Sequence, residues 1–461
     1  MLTGGGGALA ALLDPRPMTT ARLGLERIEA LLEALGRPER TFDAFHIAGT
    51  NGKGSTASFA ARVLQAGGFR TGLYTSPHLT DVRERFVIDG EWIEEAQIEE
   101  SASRIIASAA SRDCTYFEVT TALAFLCFSR SGVDVAVIET GLGGRLDATN
   151  VLRPVGSAIT PVGLDHMEAL GASYAAIAAE KAGIFKPGVP ASLGRMPGEA
   201  LDMLERRAVA ADTPIARLGR EAEVSDVRLG PTGTRFRYSS GQRPDGMALA
   251  TWLTGRHQAD NAALALLMLD RSAYAPDEGS ARRGVAAARL PGRFEVWRPG
   301  PGRTTLVFDI AHNPAAADIL CETITSLSPA RPRIAVVGML ADKDWRAVLS
   351  RLALDMDAII LTRPAGPQGR RWDPVEAAAW LSHERGRVVE AHGDVAEAVL
   401  RGRALAGPGT LVVTGSAHTV GEARVLPALA DARPQEDMAR HALRSETGTT
   451  DEGGTHAPRG A

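Results

Sequence analysis

A short apolar run, Phe42 to Ala48, leads straight into Gly49-Thr-Asn-Gly-Lys-Gly-Ser55, after which Phe59, Val63 and Leu64 recur at helical spacing. Strand, glycine loop and helix in that order describe the opening βα unit of an α/β sheet whose loop can cradle phosphate. Glycines let backbone N–H groups approach a phosphate chain, the helix N-terminus adds a favourable dipole, and Lys53 supplies positive charge. Measured against G-x-x-x-x-G-K-[ST], Ile47 stands where the first Gly belongs and Gly54 follows the Lys, which leaves Ser55 or Thr56 to supply the hydroxyl.

The rest of the chain repeats the alternation. Leu23, Ile28, Leu31, Leu32 and Leu35 predict an amphipathic helix that Gly36 and Pro38 stop. Strands are predicted at 71–75, 133–139 and 155–160, and helices at 173–185 and 258–269, which makes a largely parallel sheet. Val227 to Tyr238 alternates around Gly230-Pro-Thr-Gly233 and reads as an inserted hairpin. Arg298-Pro-Gly-Pro-Gly-Arg303 has the composition of a join between domains, and beyond it strands at 305–310, 334–340, 358–362, 387–390 and 411–414 alternate with helices. The predicted organisation is a mobile N-terminus (1–21), an N-terminal phosphate-loop ATPase domain with a mostly parallel sheet (22–297), a smaller Rossmann-like α/β domain (298–433) and a mobile tail (434–461).

Composition excludes several function classes. With 51 basic against 55 acidic residues the formal charge is −4, so nothing draws the chain generally to nucleic acid. No apolar run approaches the ~18 residues that span a bilayer, and the first residues lack the basic region of a secretory signal. Cys114, Cys127 and Cys321 are too few and too scattered for a disulfide framework. A cytoplasmic protein is expected.

Further polar segments follow predicted strand ends, the edge where open parallel sheets bind ligands. Ser76, Glu139 and His166 offer a hydroxyl, a carboxylate and an imidazole, a partial shell for a divalent cation. Lys181 is open to two readings: a surface ion pair with Glu180, or a lysine facing the cleft whose amine is carbamylated into a metal ligand. In the second domain Asp309-Ile-Ala-His-Asn-Pro314 ends a strand and opens a helix, so Asp309 and His312 point at the interdomain cleft while Asn313 suits a cap. Gly415-Ser-Ala-His418 repeats the pattern after the last strand.

Taken together, residues 22–430 resemble folylpolyglutamate synthase and dihydrofolate synthase, the folate branch of the Mur-ligase-like amide-forming enzymes. The resemblance rests on His46-Ile-Ala-Gly-Thr-Asn-Gly-Lys-Gly-Ser55, Thr75-Ser-Pro-His-Leu79, Tyr116-Phe-Glu118, the Glu139 to Asn150 segment, Leu164-Asp-His166, Glu180 to Phe185, Leu290-Pro-Gly-Arg-Phe294, Phe308 to Pro314 and Gly338 to Lys343. It implies that Gly49, Thr50, Asn51, Gly52, Lys53, Gly54 and Ser55 bind ATP together with Asn261, Arg293 and Asp309. It implies Mg²⁺ at two sites, with Ser76, Glu139, His166 and carbamylated Lys181 as ligands, and a monovalent cation besides. Glu118, Val119, Thr120, Thr121, Leu146, Asp147 and Ala148 match substrate-binding segments, and Lys53, Lys181, His312 and Ser416 match positions implicated in catalysis.

The expected reaction is ATP-dependent addition of L-glutamate, through an acyl phosphate, to dihydropteroate or to the glutamate tail of a reduced folate. The expected state is a monomer with small-molecule partners, without nucleic acid or membrane. Two competing readings are another Mur-type amino-acid ligase and a non-catalytic phosphate-loop nucleotide-binding protein. A muramyl-peptide ligase carries a further domain ahead of the loop, for which the 48 residues before Gly49 are too few. A binding switch has no use for Glu139, His166, Lys181 and the His312 segment together.

Overall fold

The computed structural model describes residues 7–13, 24–230, 232–298, 300, 302–366, 370–385 and 389–434. Eight strands form the first sheet: β1 (Asp43–Ala48), β2 (Thr71–Tyr74), β3 (Phe86–Ile88), β4 (Glu91–Trp92), β5 (Val135–Glu139), β6 (Gly156–Ile159), β7 (Ala191–Leu193) and β8 (Ile215–Arg217). Their order is β4-β3-β2-β5-β1-β6-β7-β8, parallel except where β3 and β4 turn back at one edge. β1, β5 and β6 lie at the centre with both faces covered, which is why they read as continuous apolar runs instead of alternating ones. The chain leaves β1 toward β2 on one side and returns across it from β5 to β6, so the C-terminal end of β1 is a topological switch point. The glycine loop occupies that point.

The predicted hairpin is a three-stranded antiparallel sheet, β9 (Ala222–Gly230), β10 (Gly233–Ser240) and β11 (Arg243–Thr251). β11 escaped prediction because Pro244 and Gly246 break its pattern, but as an edge strand it tolerates a residue with no N–H to donate. Its Met247 and Leu249, with Phe236 and Tyr238 of β10, share a core with the helix Arg256–Asp270, and Tyr238 Oη donates to Asp270 at 2.9 Å.

Seven strands form the second domain's sheet: β12 (Glu295–Arg298), β13 (Thr305–Phe308), β14 (Arg333–Val337), β15 (Ala358–Thr362), β16 (Val389–His392), β17 (Thr410–Thr414) and β18 (Arg433–Pro434). The order is β16-β15-β14-β17-β13-β12-β18, with β12 antiparallel to both of its neighbours. The boundary expected at 297/298 is thereby corrected: Glu295–Arg298 pairs inside the second sheet, and the Pro- and Gly-rich stretch after it connects β12 to β13. Breaker residues signal a hairpin loop as readily as a domain join. The crossing between domains runs instead through Leu290 to Arg293.

The N-terminal expectation also needs correction. Ala8–Leu13 is a helix whose Leu9 and Leu12 are buried in the first domain's core, and the Leu9 N–H donates to Glu99. Two leucines three residues apart give even a short segment one apolar face to bury. Gly4 to Gly6 and the tail beyond Pro434 lie outside the described residues. All three cysteines are buried and free, and no helix among the described residues is long and apolar enough to cross a membrane.

Candidate active site

The loop's backbone explains its glycines. Gly49 has φ 149° and Gly52 φ 89°; a Cβ on the first would lie 1.8 Å from Thr160 Oγ1, and on the second 2.5 Å from Asn261 Oδ1. No L side chain fits either place. Thr50 pins the loop to the segment that follows β6 by donating to the Gly163 carbonyl at 3.1 Å and accepting from the Gly163 N–H at 3.0 Å. The helix Lys53–Ala66 then begins at once, so the N–H groups of Lys53, Gly54 and Ser55 stand at the cleft as first-turn donors without intrahelical acceptors. Lys53 Nζ donates to the Thr50 carbonyl at 3.2 Å and lies 3.9 Å from Glu139 Oε1.

Glu139 ends β5 and is 3% exposed. Burial raises its pKa, Lys53 opposes that only partly, and the Ser76 N–H holds Oε2 at 3.0 Å. A buried carboxylate so weakly offset invites a cation. His166 sits at φ 52°, where the chain turns its ring to the cleft, and burial together with the Lys343 charge lowers its pKa to about 4, leaving a neutral imidazole at pH 7. Ser76 lines the same cleft. Among the described residues no group of three or more His, Cys, Asp or Glu side chains is placed to hold a metal ion. Hydroxyl, carboxylate and imidazole therefore fit Mg²⁺, which takes few protein ligands and keeps water and phosphate oxygens, better than a fully caged metal.

Lys181 resolves in favour of the cleft. It is 3% exposed and donates to the Gly49 carbonyl at 2.7 Å, while Glu180 accepts from Arg145 instead. Burial and the Lys53 charge lower its pKa to about 7, so a large fraction of the amine is neutral and nucleophilic at physiological pH.

The second domain closes the cleft with Arg293, Asp309 and His312. Asp309 accepts from the Phe294 and Ala311 N–H groups, both at 2.8 Å, which locks its carboxylate at the end of β13. His312 Nδ1 lies 2.9 Å from the Ile310 carbonyl oxygen and Nε2 lies 3.3 Å from Asp165. Asn261, from the helix Arg256–Asp270, donates to Gln258 at 3.1 Å and abuts Gly52. A phosphate-binding loop, a divalent-cation set and a second-domain wall thus face one cavity, the layout of an ATP-consuming group-transfer site.

The Mur ligase middle domain matches residues 47–269, and the Mur ligase glutamate ligase domain matches residues 292–418. A dihydrofolate synthase/folylpolyglutamate synthase of Mycobacterium tuberculosis is 36% identical, the alignment covering 90% of this chain and 92% of that protein. This chain belongs to that family. The structure of Mycobacterium tuberculosis folylpolyglutamate synthase complexed with ADP superposes with a TM-score of 0.82 at 34% identity, covering 93% of this chain and 98% of that one. A bifunctional folylpolyglutamate synthase/dihydrofolate synthase with Mn, AMPPNP and L-glutamate bound superposes with a TM-score of 0.77 at 31% identity, covering 91% and 97%. The chain is an ATP-dependent ligase that joins glutamate to folates, and it uses ATP and a divalent metal.

Other expected residues of the ligase lie away from the cleft. Ser416, expected to be catalytic, lies at the start of the helix Ala417–Arg424, where its Oγ accepts from the Thr419 N–H and bonds Thr419 Oγ1 at 2.8 Å. Glu118 completes a capping box with Thr115 and pairs with Arg27 at 3.0 Å. Val119 is enclosed in the core, and Thr120 and Thr121 both bond the Tyr74 hydroxyl. These four hold the helix Tyr116–Arg130 in place and do not line the cleft. Leu146 and Ala148 flank Asp147, whose Oδ2 accepts from the Gly141 and Leu142 N–H groups and shapes the turn that does line it.

Sequence reasoning missed Asp165, Lys343 and Arg85. Asp165 accepts from Lys343 Nζ at 2.6 Å; burial alone would raise its carboxyl, but the His312 hydrogen bond and the Lys343 charge hold it well below the usual range. Arg85 is buried, donates to His78 Nδ1 at 2.9 Å, and has no carboxylate in ion-pair contact among the described residues. Asn313 caps its helix as expected, accepting from the Ala316 N–H, and also donates to Asp165.

Proposed function

We propose that this ligase is bifunctional, adding L-glutamate both to dihydropteroate and to the glutamate tail of reduced folates. The observation that supports it most is the single cleft where loop, metal set and second domain converge, in a chain similar over nine-tenths of its length to a protein carrying both names. A carboxylate is a poor electrophile, so the acceptor carboxylate first attacks the γ-phosphorus of ATP, giving an acyl phosphate and ADP. The glutamate amine then attacks the acyl carbon, inorganic phosphate leaves, and the amine proton passes to solvent or a nearby base.

In this reading the first-turn N–H groups and Lys53 hold the nucleotide phosphates, and Asn261, Arg293 and Asp309 hold the rest of the nucleotide. Ser76, Glu139 and His166 would hold one Mg²⁺ and carbamylated Lys181 would help hold a second; the metal supplies charge neutralisation at the transferring phosphoryl group. The turn at Gly141 and Leu142, braced by Asp147, and the Arg85 guanidinium, which has no carboxylate in ion-pair contact among the described residues, suit the acceptor. His312 faces the glutamate-addition step. Seating of the second domain excludes water that would hydrolyse the acyl phosphate. This reading takes the ligase as a monomer acting on small molecules in the cytoplasm, and the charge of −4 gives no general attraction to nucleic acid.

The test is ADP release with Mg·ATP and L-glutamate, run separately with dihydropteroate and with a reduced folate monoglutamate. Turnover with both is expected. Turnover with one acceptor alone would reject bifunctionality, and glutamate-independent ADP release would reject ligation.

A further inference from the structure

Asp165 precedes His166 in the loop after β6, and its side chain is 8% exposed. Most of its partners belong to the other domain. Lys343 donates to Oδ1 at 2.6 Å, Asn313 donates Nδ2–H to Oδ2 at 3.1 Å, and His312 Nε2 lies 3.3 Å from the same oxygen. From its own domain the backbone N–H of His166 donates to Oδ1 at 2.8 Å. Asn313 carries the contact onward, exchanging reciprocal amide hydrogen bonds of 3.2 and 3.1 Å with Asn51 inside the phosphate loop.

The second-domain partners come from two separate loops, one after β13 and one after β14, so they grip the carboxylate from two directions. Lys343 is itself 6% exposed, which makes the pair a desolvated one: each charge depends on the other for compensation. Opening the cleft would leave both charges without their partner. A site assembled from two domains reaches its productive geometry only when the domains stand in one register, and a misplacement of an ångström is costly.

We infer that Asp165 is the positioning residue that seats the second domain on the phosphate loop and so places Lys343 and His312 over the cleft. The inference rests on the ligase reading above and adds to it a residue that acts through its partners across the domain boundary. Its distinguishing consequence is coupling. Once the pin is broken from either side, breaking the other side costs nothing more.

The experiment uses the full chain with Asp165→Asn, Lys343→Met, the double variant and Asp165→Glu. Each single neutralising change is expected to lower kcat by ~10²-fold, to leave the KM for Mg²⁺ unchanged, and to enlarge the radius of gyration in small-angle X-ray scattering. The double variant is expected to be no worse than the poorer single, and Asp165→Glu to recover part of kcat. Losses that multiply in the double variant, or a KM for Mg²⁺ that rises as kcat falls, would overturn the inference by assigning Asp165 to the support of His166 alone. If Asp165→Asn does not fold, Lys343→Met and Asp165→Glu carry the same comparison. A wild-type chain without glutamate-dependent ADP release would reject the ligase reading, and the scattering comparison would still decide the pin: an unchanged radius rejects it.

Discussion

Glu139 shows how burial makes a side chain functional. It is a carboxylate at the end of a central strand, raised in pKa by desolvation and met by one lysine at 3.9 Å. Replacing it by Gln keeps the volume and the Ser76 contact but removes the charge that a divalent cation needs. Glu139→Gln is expected to lower Mg²⁺-dependent turnover by at least ~10²-fold, the scale of deleting one preorganised electrostatic contact, with the thermal unfolding midpoint kept or raised because a buried charge is gone. Steady-state ADP release beside a melting curve checks both halves; wild-type turnover would remove Glu139 from the metal set. Residue types and spacing made this site legible: Ser76, Glu139, His166 and Lys181 all reach the cleft. The same reasoning singled out Ser416, which caps the next helix, because a serine after a strand end reads alike whether it caps or faces a ligand.

At the scale of elements, the helix that carries the phosphate loop is held by another crossing it closely. Glu278–Ala287 packs on Lys53–Ala66, and a Cβ on Gly284 would lie 2.4 Å from Val63 Cα and 2.7 Å from the Arg62 carbonyl oxygen. Backbone cannot yield as a side chain can, so Gly284→Ala is expected to push the helices apart and destabilise by about 1–3 kcal/mol. Thermal denaturation reads this as a midpoint several degrees lower, and an unchanged midpoint would mean that the crossing is looser than it looks. Central strands were legible because a strand buried on both faces is a continuous apolar run. β11 and β12 were not: β11 is an edge strand that admits proline and glycine, and β12 is a four-residue strand whose identity comes from the neighbours it pairs with.

Over the whole molecule, several histidines are buried neutral. Burial lowers His46 to about 3 and His78 and His257 to about 4, against about 6.5 in an unfolded chain. Between these values the unfolded state binds protons that the native state refuses, so stability is full above pH 6.5 and is lost as pH falls. Each such group costs about 1.4 kcal/mol per pH unit inside its window. His46 is fully enclosed, with Nε2 2.7 Å from Thr149 Oγ1 and Nδ1 without a hydrogen-bond partner among the described residues. The urea midpoint of wild type is therefore expected to fall more steeply than that of His46→Asn between pH 6.5 and 4; parallel curves would show that His46 protonates without unfolding.

By itself the sequence determined the glycine loop, the alternation of central strands and helices in both domains, and the family, because these depend on local pattern: glycine where the backbone must bend, apolar runs where strands are buried, and polar residues at their ends. Tertiary structure decided which of those polar residues meet. Asp165, Asn313 and Lys343 are separated by 148 and 178 positions from first to the others, yet they share one carboxylate. Glu118, Val119, Thr120 and Thr121 match a substrate-binding segment by resemblance, and packing gives their side chains a helix cap, a place in the core and bonds to the Tyr74 hydroxyl. Direction and desolvation set those outcomes, and both come from packing between distant segments, which no local pattern contains.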